Sequence, residues 1–363
     1  MDIKFGDVIS ENIYYSLVEL KTVKKIYPLC DALLYQNRMP GKAYLQCRDL
    51  QKMIDNGCKL VLYGLGWRVT SYYQLECEKK NNIGYLYVPF ISEVNWYGFG
   101  DRRKEKYPLG FAGKKVKTMK EWYDEDPDIQ FVIAMEEIYN ECENEYKLLG
   151  GKRRLIQYEY PQTTLYEDEQ YFDIFVPKIK DGVFIDGGSY DGKSIARFLK
   201  WNDGFENGKI YGFEIDSANY IKCKKFVSDN KWNNVKIFHA GLGEKDYLGF
   251  VSGTDSSGCR VTEKGEVSVE IRSIDSVFEN NNERLSFIKL DVEGYELATL
   301  KGAEKTIKRD LPVIAVCLYH KPDDPQEIIN FLCNLVDKYK YYIRFYSDSY
   351  LELVLYAIPI EKR

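Results

Sequence analysis

The stretch FIDGGSYDG, at residues 184–192, decides the fold of the second half of the chain. An apolar strand-like run ends in Asp186, and glycines follow before a helix-like stretch. Glycine permits positive φ and lets a ligand approach the backbone, and a helix N-terminus offers unpaired N–H groups. The pattern D-x-G-x-x-x-G lacks the dense glycine cradle that receives a pyrophosphate in G-x-G-x-x-G. It therefore predicts a nucleoside ligand without phosphates, whose cationic group suits the Asp186 carboxylate.

The next two strand-like runs end in residues that could complete this pocket. KIYGFEID, at 209–216, carries Glu214, an acid placed to accept hydrogen bonds from ribose hydroxyls. VKIFHAG, at 235–241, ends in Ala240 and Gly241, which are small enough to admit a flat base. A nucleoside with a cationic tail, held at three strand ends, fits S-adenosylmethionine.

The remaining runs extend the pattern into an α/β fold. They are LSFIKLD (285–291), PVIAVCLYH (312–320), YYIRFYS (341–347) and LELVLYAIP (351–359). We expect helices between the first five strands of this half, whereas the last two strands have hairpin spacing. Parallel strands linked by helices, with an antiparallel hairpin at the edge, predict a doubly wound mixed sheet.

Four segments resemble the FkbM-type S-adenosylmethionine-dependent methyltransferases. They are FIDGGSYDG, GFEID, FIKLDVEGYELATLKGAE and CLYHKPDD, and the resemblance covers roughly residues 163–360. It implies a Rossmann-like methyltransferase fold with a seven-stranded sheet, and methylation of a hydroxyl on a sugar, glycan or glycan precursor. The family usually has Ala-Asn where this chain has Ser189-Tyr190, which preserves the backbone role but not an Asn side-chain contact.

Three residues at later strand ends are candidates for catalysis. Methyl transfer is an in-line displacement, and a hydroxyl needs a base to remove its proton. We expect His320 to be that base, because its ordinary pKa suits neutral pH. Asp291 would position the acceptor or the methionine ammonium, or itself act as base, and Glu293 would stand at the cleft mouth. A purely structural role for Asp291 and His320 stays open. Magnesium or manganese bound by all three is conceivable but not favoured.

Several further residues complete the predicted site. The backbone of the glycine bend would contact the cofactor through Gly187, Gly188, Ser189 and Gly192. The lead-in YEDEQYF, at 166–172, is expected to fold over the cofactor with Tyr171 near the pocket. We expect the other histidine, His239, to pack in its strand. Cys259 is expected to lie in a loop-hairpin stretch between the third and fourth strands of this half and to have no nucleophilic role.

The first half of the chain reads as separate segments. We predict a helical region at 1–56, a small Rossmann-like α/β domain at 57–150, a connector and lead-in at 151–182, and the methyltransferase domain at 183–363. The small domain would contain strands at 59–63, 83–88 and 129–135 and a helix at 69–80.

The loop YGLGWRV, at 63–69, follows the first of these strands and is a degenerate G-x-G-x-x-V motif. Packing, dimerisation or acceptor recognition is the favoured interpretation of this domain, and nucleotide-sugar binding is the alternative. The rival functions are an NAD(P)- or nucleotide-sugar-linked carbohydrate enzyme that uses this loop, or a non-catalytic cofactor-binding protein.

Composition limits the remaining functional classes. The 363 residues carry a net charge of −5, which argues against a dedicated nucleic-acid binder. No apolar run approaches the length of a membrane span, and the first residues lack the pattern of a signal peptide. Nine scattered cysteines without a CxxC pair, and only two histidines, argue against structural zinc. We therefore expect a cytoplasmic enzyme with a small-molecule or glycan acceptor, and self-association through the N-terminal domain is conceivable.

Overall fold

The computed structural model describes residues 3–23, 42–66, 69–70, 73, 94–159, 168–252, 260–262, 267–279, 282–321, 323–346 and 352–360. These residues divide into two compact units. Unit 1 contains the described residues before 37, those from 168 to 346, and those from 352 onward. Unit 2 contains the described residues between 42 and 159.

The strands are β1 (Leu60–Tyr63), β2 (Gly98–Gly100), β3 (Val116–Lys117), β4 (Gln130–Ile133), β5 (Ile156–Gln157), β6 (Gly182–Gly187), β7 (Gly208–Glu214), β8 (Val235–Leu242), β9 (Tyr247–Ser252), β10 (Arg260–Thr262), β11 (Val267–Arg272), β12 (Leu285–Leu290), β13 (Val313–Cys317), β14 (Tyr339–Phe345) and β15 (Leu353–Pro359). The α-helices are α1 (Val8–Val23), α2 (Lys42–Asp55), α3 (Met119–Glu125), α4 (Tyr139–Leu148), α5 (Lys193–Trp201), α6 (Ser217–Asp229), α7 (Ile274–Phe278), α8 (Glu296–Lys301), α9 (Glu304–Asp310) and α10 (Asp324–Leu335).

Unit 1 is built on one twisted sheet with the order β10-β9-β11-β8-β7-β6-β12-β13-β15-β14. From β8 to β13 the neighbouring strands are parallel, and β15 runs antiparallel between β13 and β14. The predicted α/β fold and the antiparallel edge hairpin are therefore present. The chain moves from β6 outward through β7 to β8 and later returns to β12 on the other side of β6. This reversal places a ligand cleft at the carboxyl ends of β6, β7 and β12.

The sheet has ten strands among the described residues, whereas the sequence analysis expected seven. The additional strands are β9, β10 and β11, which lie beyond β8 in the stretch where a loop-hairpin was expected but was not counted in the sheet. VSVEIR in β11 alternates apolar and polar residues, and this period of two favours a strand with one buried face. The short helix α7 follows β11 in the chain segment that links β8 to β12.

Aromatic side chains fill the core beneath the central strands of unit 1. Phe184 of β6 lies 4.3 Å, ring centroid to centroid, from Phe198 of α5, and 5.3 Å from Phe287 of β12. Phe172, in the lead-in, stacks on Trp201 at 5.4 Å. Each buried ring of this kind contributes roughly 1.5–3 kcal/mol of hydrophobic stabilisation, so the core holds β6 and β12 side by side.

The predicted helical region at 1–56 does not behave as one segment. Helix α1 belongs to unit 1, where Ser10 Oγ accepts hydrogen bonds from Ile343 N at 3.1 Å and from the Arg344 guanidinium at 2.9 Å. Asp7, just before α1, pairs with the same Arg344. Helix α2 belongs to unit 2. The polar contacts of α1 with β14 join residues more than 300 positions apart, so the local sequence does not show that α1 and α2 belong to different units.

Unit 2 contains a parallel sheet with the order β3-β2-β1-β4-β5. The predicted strands at 59–63 and 129–135 correspond to β1 and β4, and an acidic helix, α4, follows β4. The predicted strand at 83–88 and most of the helix at 69–80 lie outside the described residues. Among the helices that the structure describes in either unit, none combines the length and apolarity that a membrane crossing requires.

Candidate functional site

A cleft of about 500 Å³, partly open to solvent, lies at the carboxyl ends of β6, β7, β8 and β12. Six residues from the sequence prediction line it: Gly188, Glu214, Ala240, Gly241, Asp291 and Glu293. Tyr190, Asn219 and Tyr295 also line the cleft. The four strand ends therefore meet as the doubly wound topology requires.

The glycine bend after β6 brings two loops into direct contact. Gly188 has a φ of +74°, and a Cβ atom there would lie 1.9 Å from the carbonyl oxygen of Asp291. Gly192, at the start of α5, has a φ of +85°. Only glycine adopts such angles without strain. Gly187, Ser189 and Gly192 are not among the residues that line the cleft, so they shape the bend from behind.

Glu214 ends β7 with its carboxylate fixed by the backbone. Oε2 accepts a hydrogen bond from Tyr190 N and Oε1 accepts one from Asp216 N, each at 2.8 Å. The residue is 7 % exposed, and burial raises the pKa of its carboxyl group. Each carboxylate oxygen retains a further lone pair for a ligand donor.

Asp186 does not occupy the position that the sequence analysis predicted. Its side chain is fully buried and is not among the residues lining the cleft. Oδ2 accepts a hydrogen bond from Ser194 Oγ at 2.6 Å, and Oδ1 lies 3.1 Å from Lys289 Nζ. A buried carboxylate requires such partners because desolvation of an isolated charge is costly. The negative charge is thus compensated within the protein.

Lys289, which the sequence analysis did not identify, connects β12 to the glycine bend. Its ammonium donates hydrogen bonds to the carbonyl oxygens of Gly187 at 3.0 Å and Gly188 at 2.7 Å. Burial opposes its charge, but the charges of Asp186 and Asp291 raise the pKa of Lys289. A lysine inside the apolar run LSFIKL was the available signal, because buried lysines are rare without a partner.

Asp291 follows β12, and two phenols hold its carboxylate. Tyr319 OH donates to Oδ1 and Tyr171 OH donates to Oδ2, each at 3.0 Å. Burial by itself would raise the pKa of Asp291, but the charges of Lys289 and His320 and the two hydrogen bonds lower it. Asp291 is therefore ionised where it faces the cleft.

The lead-in was predicted to fold over the cofactor with Tyr171 near the pocket, and the structure places the Tyr171 hydroxyl against the cleft-lining Asp291 but behind the cleft surface. The tyrosine side chain is 2 % exposed and is not among the cleft-lining residues. Besides donating to Asp291, its ring lies 5.2 Å from Lys289 Nζ. Tyr171, in the lead-in, therefore contacts Asp291 from behind the cleft surface.

His320 lies close to the two other predicted catalytic residues but behind the cleft surface. It is 6 % exposed, and Nε2 lies 3.6 Å from Asp291 Oδ1 and 3.7 Å from Glu293 Oε2. Nδ1 is 2.8 Å from Oε1 of Glu296, a buried acid that the sequence analysis missed. Burial opposes protonation of the ring, but Glu296, Asp291 and Glu293 raise the pKa of His320 to about 9.

Asp291, Glu296 and His320 offer potential metal-ligand atoms within 4.8 Å of one another. Both Asp291 oxygens already accept phenol hydrogen bonds, and Glu296 Oε1 accepts one from Val292 N. The cluster therefore has the form of a hydrogen-bonded acid–histidine network. His239 stacks on Tyr220 at 4.8 Å, ring centroid to centroid. Cys259 lies outside the described residues.

The G-x-G loop of unit 2 is filled by neighbouring side chains. A Cβ atom on Gly66 would lie 2.6 Å from Met135 Sδ, and one on Gly64 would lie 2.8 Å from Ile138 Cδ1. Leu65 N donates to Asp101 Oδ2 at 2.8 Å. The described part of this loop thus serves packing, whereas Trp67 and Arg68 lie outside the described residues.

Comparison with known proteins assigns the domain that carries the cleft. Residues 186–340 match the family model of the methyltransferase FkbM domain, which confirms the resemblance indicated by the sequence motifs.

The crystal structure of methyltransferase FkbM from Methylobacillus flagellatus KT is similar over 96% of this chain and 99% of that chain, with 13% identity and a TM-score of 0.53, a likeness of fold. A SAM-dependent methyltransferase from Aquifex aeolicus aligns over 53% of this chain and 89% of that chain, with 14% identity and a TM-score of 0.32, too low to support an argument. No curated protein matches the chain.

Proposed function

Because this chain contains a methyltransferase FkbM domain at residues 186–340, we propose that it transfers a methyl group from S-adenosylmethionine to a hydroxyl oxygen of a sugar, glycan or glycan precursor. One observation carries the proposal: the cleft at the reversal of strand order has a nucleoside-compatible side and an acidic side. Gly188, Glu214 and Ala240 line the first, and Asp291 and Glu293 line the second.

The cofactor side fits an adenosine moiety. The Glu214 carboxylate, fixed by two backbone N–H groups, is available to the ribose hydroxyls. Ala240 and Gly241 line the cleft, and their small size leaves room for the flat base. The ionised Asp291, rather than Asp186, would face the cationic end of the cofactor. S-adenosylmethionine supplies a methyl group activated by its sulfonium.

On the acidic side, the chain would orient the acceptor and take its proton. When the methyl group is transferred, the hydroxyl proton of the acceptor would pass to Nε2 of His320 in its neutral form, which predominates above about pH 9. Asp291 and Glu293 flank that nitrogen at 3.6 and 3.7 Å and would hold the acceptor hydroxyls in line. Correct orientation of this kind can remove several kcal/mol of the barrier.

The acceptor class is supported by the polar character of this side. Asp291, Glu293 and Tyr295 present carboxylate and phenol groups, which are suitable hydrogen-bond partners for a polyhydroxylated molecule. A nucleotide-linked activity of unit 2 has no such support, since Met135 and Ile138 fill the space beside its glycines. A cytoplasmic location and self-association stay predictions.

Calorimetric titration with S-adenosylhomocysteine tests the cofactor site. We expect binding by the wild type and at least about tenfold weaker binding by Glu214→Gln, because hydrogen bonds to a charged group are worth about 1.5–3 kcal/mol. Glu304→Gln, which removes an exposed carboxylate of α9, is the matched control and should bind normally. Absence of binding by the wild type, or equal affinity of Glu214→Gln, would contradict the proposal. Sugars and nucleotide sugars should then be screened with methyl-labelled cofactor.

A further inference from the structure

We propose that Glu296 is a positioning residue whose buried carboxylate holds His320 with a proton on Nδ1 and with Nε2 turned toward the acidic side of the cleft. The inference rests on the proposed role of His320 as the base. It assigns a function to an acid that lies within the motif FIKLDVEGYELATLKGAE but was not among the predicted site residues.

Contact chemistry determines the direction of the hydrogen bond. Glu296 is fully buried at the start of α8, and its Oε1 lies 2.8 Å from His320 Nδ1. The same oxygen accepts a hydrogen bond from Val292 N at 2.9 Å, which fixes the carboxylate in place. The hydrogen bond from Val292 N shows that Oε1 carries no proton, so Nδ1 is the donor to the same oxygen. When the ring is neutral, its single proton is on Nδ1, and Nε2 is free to accept a proton.

Other carboxylates among the described residues also act on the imidazole ring, but they lie farther from it than Glu296 does and act through their charge, without a hydrogen bond. Nε2 faces Asp291 and Glu293 at 3.6 and 3.7 Å, which is beyond a normal hydrogen bond. The carboxyl groups that act on His320 from the neighbouring elements are those of Asp291, Glu293, Glu296, Asp324 and Glu352, and the phenol ring of Tyr319 packs against the imidazole at 4.2 Å, centroid to centroid. Within the described residues, Glu296 is the acid in hydrogen-bond contact with the imidazole.

The charge of Glu296 has a second consequence for the base. Glu296 is the strongest of the carboxylates that raise the pKa of His320 to about 9. An opposite charge at this distance typically changes a pKa by about 1–3 units. Removal of the Glu296 charge should therefore make His320 a weaker base without changing the cleft lining.

Nuclear magnetic resonance of the full chain with labelled histidine tests the assignment directly. The chain has only two histidines, so the spectrum is simple, and a His239→Gln variant assigns it. In the wild type we expect His320 to titrate near pH 9 and its neutral form to carry the proton on Nδ1. In Glu296→Gln the His320 midpoint should fall by about 1–3 pH units, and the His239 midpoint should not move. Glu304→Gln should change neither midpoint.

Several results would overturn the inference. These are an Nε2-protonated neutral form in the wild type, or an unchanged His320 midpoint in Glu296→Gln. If that variant does not fold, as the His239 resonance would show, the wild-type tautomer decides the question. The measurement needs neither cofactor nor acceptor, so its failure is distinguishable from failure of S-adenosylhomocysteine binding.

Discussion

Lys289→Met should destabilise unit 1 by about 3–5 kcal/mol, because it removes one partner of a buried ion pair. Lys289 is 2 % exposed and its Nζ lies 3.1 Å from Oδ1 of the fully buried Asp186. Methionine matches the length of the aliphatic part of lysine, so the substitution creates little cavity. The decrease in the free energy of unfolding therefore measures the cost of burying the Asp186 carboxylate without its lysine partner. The carboxylate would keep its hydrogen bond from the hydroxyl of Ser194.

The loss has a second component at the glycine bend. Lys289 also donates to the carbonyl oxygens of Gly187 and Gly188. The Gly187 carbonyl keeps its hydrogen bond from Asp291 N at 3.1 Å, whereas the Gly188 carbonyl loses a donor, and a buried acceptor without a donor costs about 1–3 kcal/mol. Net stabilities of domains are only about 5–15 kcal/mol. Lys289→Met should consequently be folded only marginally, and hydrogen exchange in β6 and β12 should accelerate before the rest of the sheet.

A double-mutant cycle with Asp186→Asn separates these contributions. Urea unfolding followed by circular dichroism gives the free energy of unfolding of the wild type, the two single variants and Asp186→Asn/Lys289→Met. We expect the double variant to be more stable than Lys289→Met alone, with a coupling energy of about 2 kcal/mol or more. A Lys289→Met protein within about 1 kcal/mol of the wild type, or strictly additive losses, would refute the account of a buried compensating pair.

The remaining predictions concern the bend and the histidine. Gly188→Ala should lower the melting temperature and abolish S-adenosylhomocysteine binding, because the new Cβ would lie 1.9 Å from the carbonyl oxygen of Asp291. Gly204→Ala is the control: Gly204 also has a positive φ, but its Cβ would meet the flexible side chain of Glu206, so this variant should retain binding. The folded pKa of His320 is about 9 and its ordinary value is 6.5, so its stabilising contribution is complete below pH 6.5 and is lost as the pH rises through 9. Urea unfolding at both pH values should show a loss of about 3 kcal/mol in the wild type and a smaller one in His320→Gln, and equal losses would contradict the assignment. The methyl-transfer rate of the wild type should rise with an apparent pKa near 9, and a flat profile between pH 7 and 10 would remove His320 as the base.

The architecture of unit 1 could be predicted to a useful degree because its signals are local. The apolar run before Asp186 and the acid at Glu214 mark the ends of β6 and β7 as the structure has them. The strands beyond β8 were not counted in the predicted sheet, although β11 alternates with a period of two, because the stretch that contains them was taken for a loop-hairpin connection. The division of the first 56 residues between two units was likewise inaccessible, since it depends on contacts of Ser10 with β14.

The sequence by itself determined which strand ends meet, because strand periodicity, glycine bends and the order of parallel strands are local properties that the doubly wound topology converts into one cleft. Only the tertiary structure decided what each acid does there. Asp186 pairs with Lys289, and Asp291 receives the phenol of Tyr171 from 120 residues away. The physical reason is that the charge and basicity of a buried group depend on neighbours brought together by folding, and local sequence does not show which neighbours those are.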